Sequence, residues 1–255
     1  MHSTNTLIAF ASLLALTLDP LRTVSAKEHT VATEAPQSAK AAADIEAKTQ
    51  LAARAAEVLD ETMKTPDQGI PVNLLSRAEC IAVFPSTLKA GFIVAAQYGY
   101  GLVSCQQTES AKWGAPAFFT LAGGSVGLQI GAKATDLILL VMNKDGMKGL
   151  LDAKVTLGAN LGVSAGPVGR DASAATDVML QSTVLSYSRS EGLFAGVDLA
   201  GSVLSYDGDA TKELYRQAWD AETVLSGNKE AAPAVKVFSQ TLEKYAPQRL
   251  ARERP

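Results

Sequence analysis

The chain has 255 residues, 47% of them hydrophobic and 19% charged, which is enough apolar material for one or two globular domains and excludes wholesale disorder. The 23 Lys and Arg against 26 Asp and Glu leave a net charge of −3, so no basic excess marks a nucleic-acid binder. The 2 histidines, His2 and His29, both lie near the N-terminus, which removes the main ingredient of His-based triads and His-rich metal sites.

Residues 7–18 (LIAFASLLALTL) form an apolar run followed by Val24-Ser25-Ala26 ahead of Lys27. A short apolar core followed by small residues at alternate positions is the pattern of a cleavable secretory signal, too short to cross a bilayer. Residues 1–26 are therefore read as a signal peptide cleaved near Ala26, and the product as periplasmic or secreted. Residues 27–37 are polar and aperiodic and read as a flexible leader.

From Ser38 to Lys64 the chain is rich in Ala, Glu, Lys and Arg and lacks Gly and Pro, a helix composition. Leu51, Ala55, Leu59 and Met63 fall four apart on one stripe, and Pro66 and Gly69 end the pattern. The charges on this helix are mixed and slightly acidic, which favours packing on its own domain over lying on a membrane surface.

Between Ile81 and Tyr206 the apolar period shortens to two. Alternation predicts strands over Phe92–Leu102, Val126–Ala132, Val155–Ala165, Thr183–Arg189 and Leu193–Val203. The continuous run from Leu137 to Met142 predicts a strand buried on both faces. Asn143–Leu151 reads as a turn entering a short helix, and helical composition returns over Asp209–Leu225 and Ala234–Leu250. Glycines four apart (Gly158, Gly162 and Gly166; Gly127 and Gly131; Gly192 and Gly196) fall on one face of a strand, where they permit sharp coiling or close backbone approach. The fold class that follows is α+β: a strongly curved, Gly-rich antiparallel sheet, either a sandwich or a partly closed barrel, with N- and C-terminal helices packed on it. About six strands and few aromatics argue against an outer-membrane barrel.

Cys80 and Cys105 are the only cysteines. In an oxidising compartment two cysteines are expected to be bridged, with buried free thiols or a metal pair as the other readings. The Gly-rich stretch from Gly123 to Lys133 lacks the spacing of a phosphate-binding loop, and no G-x-S-x-G elbow is present. Asp136, Asp177 and Asp198 are more simply explained by turn and strand-end hydrogen bonding than as catalytic carboxylates. Lys89, Lys112, Lys133, Lys144, Lys148, Lys154, Arg170 and Arg189 are spread through the sheet region, either as scattered solvated charge or as an anion-binding face for lipid headgroups.

The stretch AECIAVFPSTLKAGFIVAAQYGYGLVSC from Ala78, with KWGAPAFFTLAGGSVGLQIGAKATDLILLVMN, KVTLGANLGVSAGPVGR and VLSYSRSEGLFAGVDLAGSVLSYD, resembles the SYLF domain, a lipid-binding and actin-binding family of bacteria and eukaryotes. The resemblance runs from about Asn73 to Tyr215. It implies binding of phospholipids or a membrane surface, no catalysis and no cofactor, and the signal-bearing, two-cysteine form looks like the exported bacterial branch. An exported protein meets no actin. The organisation expected is a signal peptide (1–26), a leader (27–37), a SYLF-like lipid-binding domain that includes the N-terminal helix (38–226) and a C-terminal helical tail (227–255). Lys89, Lys133, Lys154 and Arg170, within the matching motifs, are the candidate headgroup contacts. A structural or protein-interaction module of the cell envelope is the alternative function.

Overall fold

The Ala-rich run forms helix α1 (Glu34–Lys64), whose buried side is made of small and medium residues: Ala52, Ala55, Ala56, Val58 and Leu59. Small side chains let its backbone approach the sheet beneath closely. In the computed structural model the described residues are 34–64, 69–107, 112–126, 131–169, 182–190, 193–226 and 228–246. The apolar run of residues 7–18 and the cleavage position at Ala26 lie outside them. The helix starts at Glu34, inside the segment that polarity alone assigned to the leader.

After a single turn, α2 (Val72–Leu75), the chain enters the long antiparallel ribbon β1 (Cys80–Gly91), β2 (Val94–Cys105), β3 (Ala117–Val126) and β4 (Gly131–Val141). Helix α3 (Lys144–Leu151) follows, begun by the Asn143 side chain, which accepts from the Gly146 N–H. Short strands β5 (Lys154–Thr156), β6 (Val163–Ala165), β7 (Val184–Ser190), β8 (Leu193–Gly196) and β9 (Val203–Tyr206) complete one sheet, ordered β5-β9-β3-β2-β1-β4-β7-β6 with β8 also on β7. All pairs are antiparallel except β6 with β7. The fold is thus α+β, with a strongly curled sheet.

Several expected strands are divided, each by turn chemistry that alternation hides. Val155–Ala165 is not one strand. Gly158 takes φ +83°, Asn160 accepts from the Thr156 N–H at 2.8 Å, and Leu157 makes a parallel bridge to Leu161, so a turn separates β5 from β6. Gly158, Gly162 and Gly166 therefore do not share a strand face. Leu193–Val203 is split where Asp198 accepts from the Ala200 N–H and Gly201 adopts φ +83°. The expected strand Val126–Ala132 spans the end of β3 and the start of β4, with residues 127–130 outside the described set. Asp209–Leu225 is likewise two helices, α4 (Gly208–Tyr215) and α5 (Ala221–Leu225). Arg216 ends the first in the left-handed conformation and Asp220 caps the second. A 3-10 turn (Pro233–Val235) leads into α6 (Lys236–Tyr245).

The curl divides the core in two. On the helix-covered face, Ile81, Val83, Leu102, Ile138, Leu140 and Leu185 meet Leu59 of α1 and Phe238 and Leu242 of α6. On the concave face, Phe84, Phe119, Leu121, Leu139, Leu157, Leu161 and Leu204 pack on one another and on Val224 of α5, so that residues from the two ends of the sheet share one interior. Gly101 admits the close crossing inside: a Cβ there would collide with the Phe84 ring. Cys80 and Cys105 stand directly opposite each other on β1 and β2, fully buried, and form a disulfide.

Candidate functional site

The long strands outrun their own core. From Cys80 to Phe84, β1 is buried residue after residue; beyond Phe84 it bulges, with Ser86 at φ +50°. Asp136 of β4 secures that bulge, accepting from the Ser86 N–H at 2.9 Å through one oxygen and from the Arg189 guanidinium at 3.1 Å through the other. Arg189 also pairs with Glu61 of α1. Asp136 is thereby spent on structure.

Past the bulge the concave face opens into a cavity of about 810 Å³. The ladder sets a polar row across four strands: Lys133 on β4 opposite Lys89 on β1, Lys89 opposite Gln97 on β2, and Gln97 opposite Gly123 on β3. Gln97 donates to the Ser202 hydroxyl at 2.9 Å, tying the row to the loop before β9. Thr87 and Thr135 form the next row inward, Leu137 and Leu199 lie deeper, and Ser188, Ser190 and Asp198 complete the wall.

Two ammonium groups side by side repel one another and attract an anion placed between them. Among the described residues neither Lys89 nor Lys133 makes an ion pair with a carboxylate. The hydroxyls of Thr87, Thr135, Ser188 and Ser190 and the Gln97 amide add neutral donors and acceptors. Such a lining suits a phosphate or a polyol, held by several weak bonds rather than by one fixed charge pair. Among the described residues there is no histidine to serve as base for a serine nucleophile, and no three His, Cys, Asp or Glu gather as a metal site.

Of the four candidate contacts, the structure brings Lys89 and Lys133 together. Lys154 sits exposed on edge strand β5, opposite Ser205, outside the cavity. Arg170 lies outside the described residues. Gln97, Thr87 and Thr135 escaped the sequence reading, because polar residues on a glycine-rich strand read as its solvent face. The signal available was parity: Lys89, Gly91 and Thr87 alternate with Leu88 and Ala90, so the inner face was the polar one.

A family model described as "Ysc84: Las17-binding protein actin regulator" matches residues 122–245. LAS seventeen-binding protein 3 of Saccharomyces cerevisiae is 35% identical over 183 residues, covering 71% of this chain and 39% of that protein. Protein YSC84 of the same yeast is 33% identical over 201 residues, 76% of this chain and 42% of that protein. The human SH3 domain-containing YSC84-like protein 1 is 31% identical over 204 residues, 76% of this chain and 59% of that protein. The chain thus spans between two fifths and three fifths of the length of these relatives.

Proposed function

From the premise that this chain belongs to the Ysc84, or SYLF, family, we propose that it is a non-enzymatic lipid-binding protein that holds the phosphate-bearing headgroup of a phospholipid in the concave-face cavity over β1 and β4. The observation that carries the reading is the Lys89–Lys133 pair, adjacent on the ladder, lining a hydroxyl-bearing hollow and without a carboxylate ion pair among the described residues. The signal pattern of residues 1–26 and the disulfide support an exported, periplasmic or secreted setting for it.

Co-sedimentation with phosphatidylcholine vesicles, with and without phosphatidylglycerol, tests the proposal. Binding is expected to require the anionic lipid and to fall about thirtyfold or more in Lys89→Gln/Lys133→Gln, since two charge-assisted contacts of ~1 kcal/mol or more are lost. Full binding by the double variant would remove the cavity from the account.

A protein-interaction module is the second reading, favoured by the relatives' names, which record binding to Las17 and regulation of actin. Recovery of one stoichiometric protein partner by cross-linking, with no vesicle binding, would establish it instead.

A further inference from the structure

Beyond the Lys89–Lys133 row the β1–β2 ribbon ends in three consecutive apolar residues, Phe92, Ile93 and Val94, which lie between the paired Gly91 and Ala95. They are 64%, 56% and 66% exposed. Three-residue hairpin loops ordinarily place glycine at their left-handed position and polar residues around it. This loop carries neither, and the tip reaches no part of either core. Behind it, on the face opposite the lysines, Leu88 stands directly across from Tyr98, and the Tyr98 and Tyr100 rings meet edge to face with centroids 5.2 Å apart. Leu88, Tyr98 and Tyr100 are about half exposed, so the apolar surface continues from the tip along one side of the ribbon.

We propose that the tip Phe92–Val94 enters the hydrocarbon edge of an anionic phospholipid bilayer, with Tyr98 and Tyr100 at headgroup depth and Lys89 and Lys133 against the phosphates. The inference rests on the lipid-binding reading above and adds the element that penetrates. Charge distribution selects this occupant. Residues 86–105, 117–126 and 131–135, which make up the projecting end and the strands beside it, contain Lys89 and Lys133 and no carboxylate. A contiguous exposed apolar surface marks an interaction site. One whose own strand segments carry only cations, Asp198 also lining the cavity, and which adjoins tyrosines, whose rings favour the boundary between water and hydrocarbon, matches an anionic membrane.

The test uses Phe92→Trp in the full chain, followed by indole fluorescence on phosphatidylcholine vesicles with and without an equal part of phosphatidylglycerol. A blue shift on the anionic vesicles, and quenching by bromine placed on their acyl chains, is the expected result. The Phe92→Ser/Ile93→Ser variant is expected to bind those vesicles about tenfold or more weakly, from the apolar area it no longer buries. Its melting temperature should be unchanged, because neither side chain touches the core. Vesicle binding without shift or quenching, or undiminished binding by the serine variant, overturns insertion while leaving headgroup binding intact. Equal insertion into phosphatidylcholine alone overturns the anionic assignment. Absence of vesicle binding by the unmutated chain overturns both proposals.

Discussion

The Tyr187 ring stacks on Phe194 with planes 9° apart and centroids 5.4 Å apart, under the backbone of Gly166, where any side chain would overlap the ring. Among the described residues its hydroxyl meets no hydrogen-bond partner, and burial holds its pKa above the ordinary tyrosine range. A hydroxyl removed from water without compensation costs about 1–3 kcal/mol. Tyr187→Phe keeps the stacking and deletes that cost, so it is expected to stabilise the protein by about 1 kcal/mol, or about 2–4 °C in melting temperature for a chain of this size. Calorimetry checks it, and a lower melting temperature would show that the hydroxyl is satisfied. The sequence offered no hint of this: Tyr187 reads only as one more apolar position in an alternating strand. The lysines were legible as residues but not as a pair, because the register that sets Lys89 against Lys133 is a long-range fact.

Helix α1 is held on the body by polar contacts at its C-terminal end as well as by its alanine face. Asp60 accepts from Lys244 Nζ at 2.8 Å and from the Tyr245 hydroxyl at 2.5 Å, and pairs with Lys64 one turn on. The Lys244 hydrogen bond, then those of Lys64 and Tyr245, hold the Asp60 carboxyl well below the ordinary carboxylate range. Lys244 and Lys64 are raised in turn, each chiefly by its hydrogen bond to Asp60. A depressed carboxylate contributes stability above its unfolded pKa and loses it as pH falls through the folded value. The contact between α1 and α6 is therefore expected to weaken below the ordinary carboxylate range and to be at full strength at neutral pH. The raised lysines lose their share only as pH rises beyond the ordinary lysine range. Melting curves against pH check this: Asp60→Asn should melt lower than the unmutated chain at neutral pH and show a shallower acid limb. The helix itself was plain from composition, and its mixed charges correctly placed it on its own domain. What composition could not supply were its partners, since Lys244 and Glu213, which pairs with Lys48, lie far along the chain.

At the scale of the molecule, one sheet serves two cores, and the β1–β2 ribbon belongs to both. Period two with abundant glycine was enough to read a strongly curved sheet with terminal helices. It could not show that β5 and β6 are separate strands, because a Gly-Ala-Asn turn and a strand pleat leave the same alternating pattern. The Cys80–Cys105 disulfide closes the ribbon at the end away from the tip, with both cysteines buried on the concave face beside Ala82, Ala115 and Ala117. Its stabilisation acts largely on the unfolded chain: in the loop-entropy account, a crosslink spanning 25 residues contributes ~3 kcal/mol. The ladder between the cysteines remains when they are replaced by alanine, and the vacated space is small. Cys80→Ala/Cys105→Ala is therefore expected to fold with the same circular dichroism and to melt about 6–12 °C lower. Adding reductant should lower the melting temperature of the unmutated chain toward that of the variant and leave the variant where it is. Identical melting of both proteins under oxidising conditions would mean that the bridge adds nothing, and that the ribbon's register alone keeps the strands together behind the projecting tip.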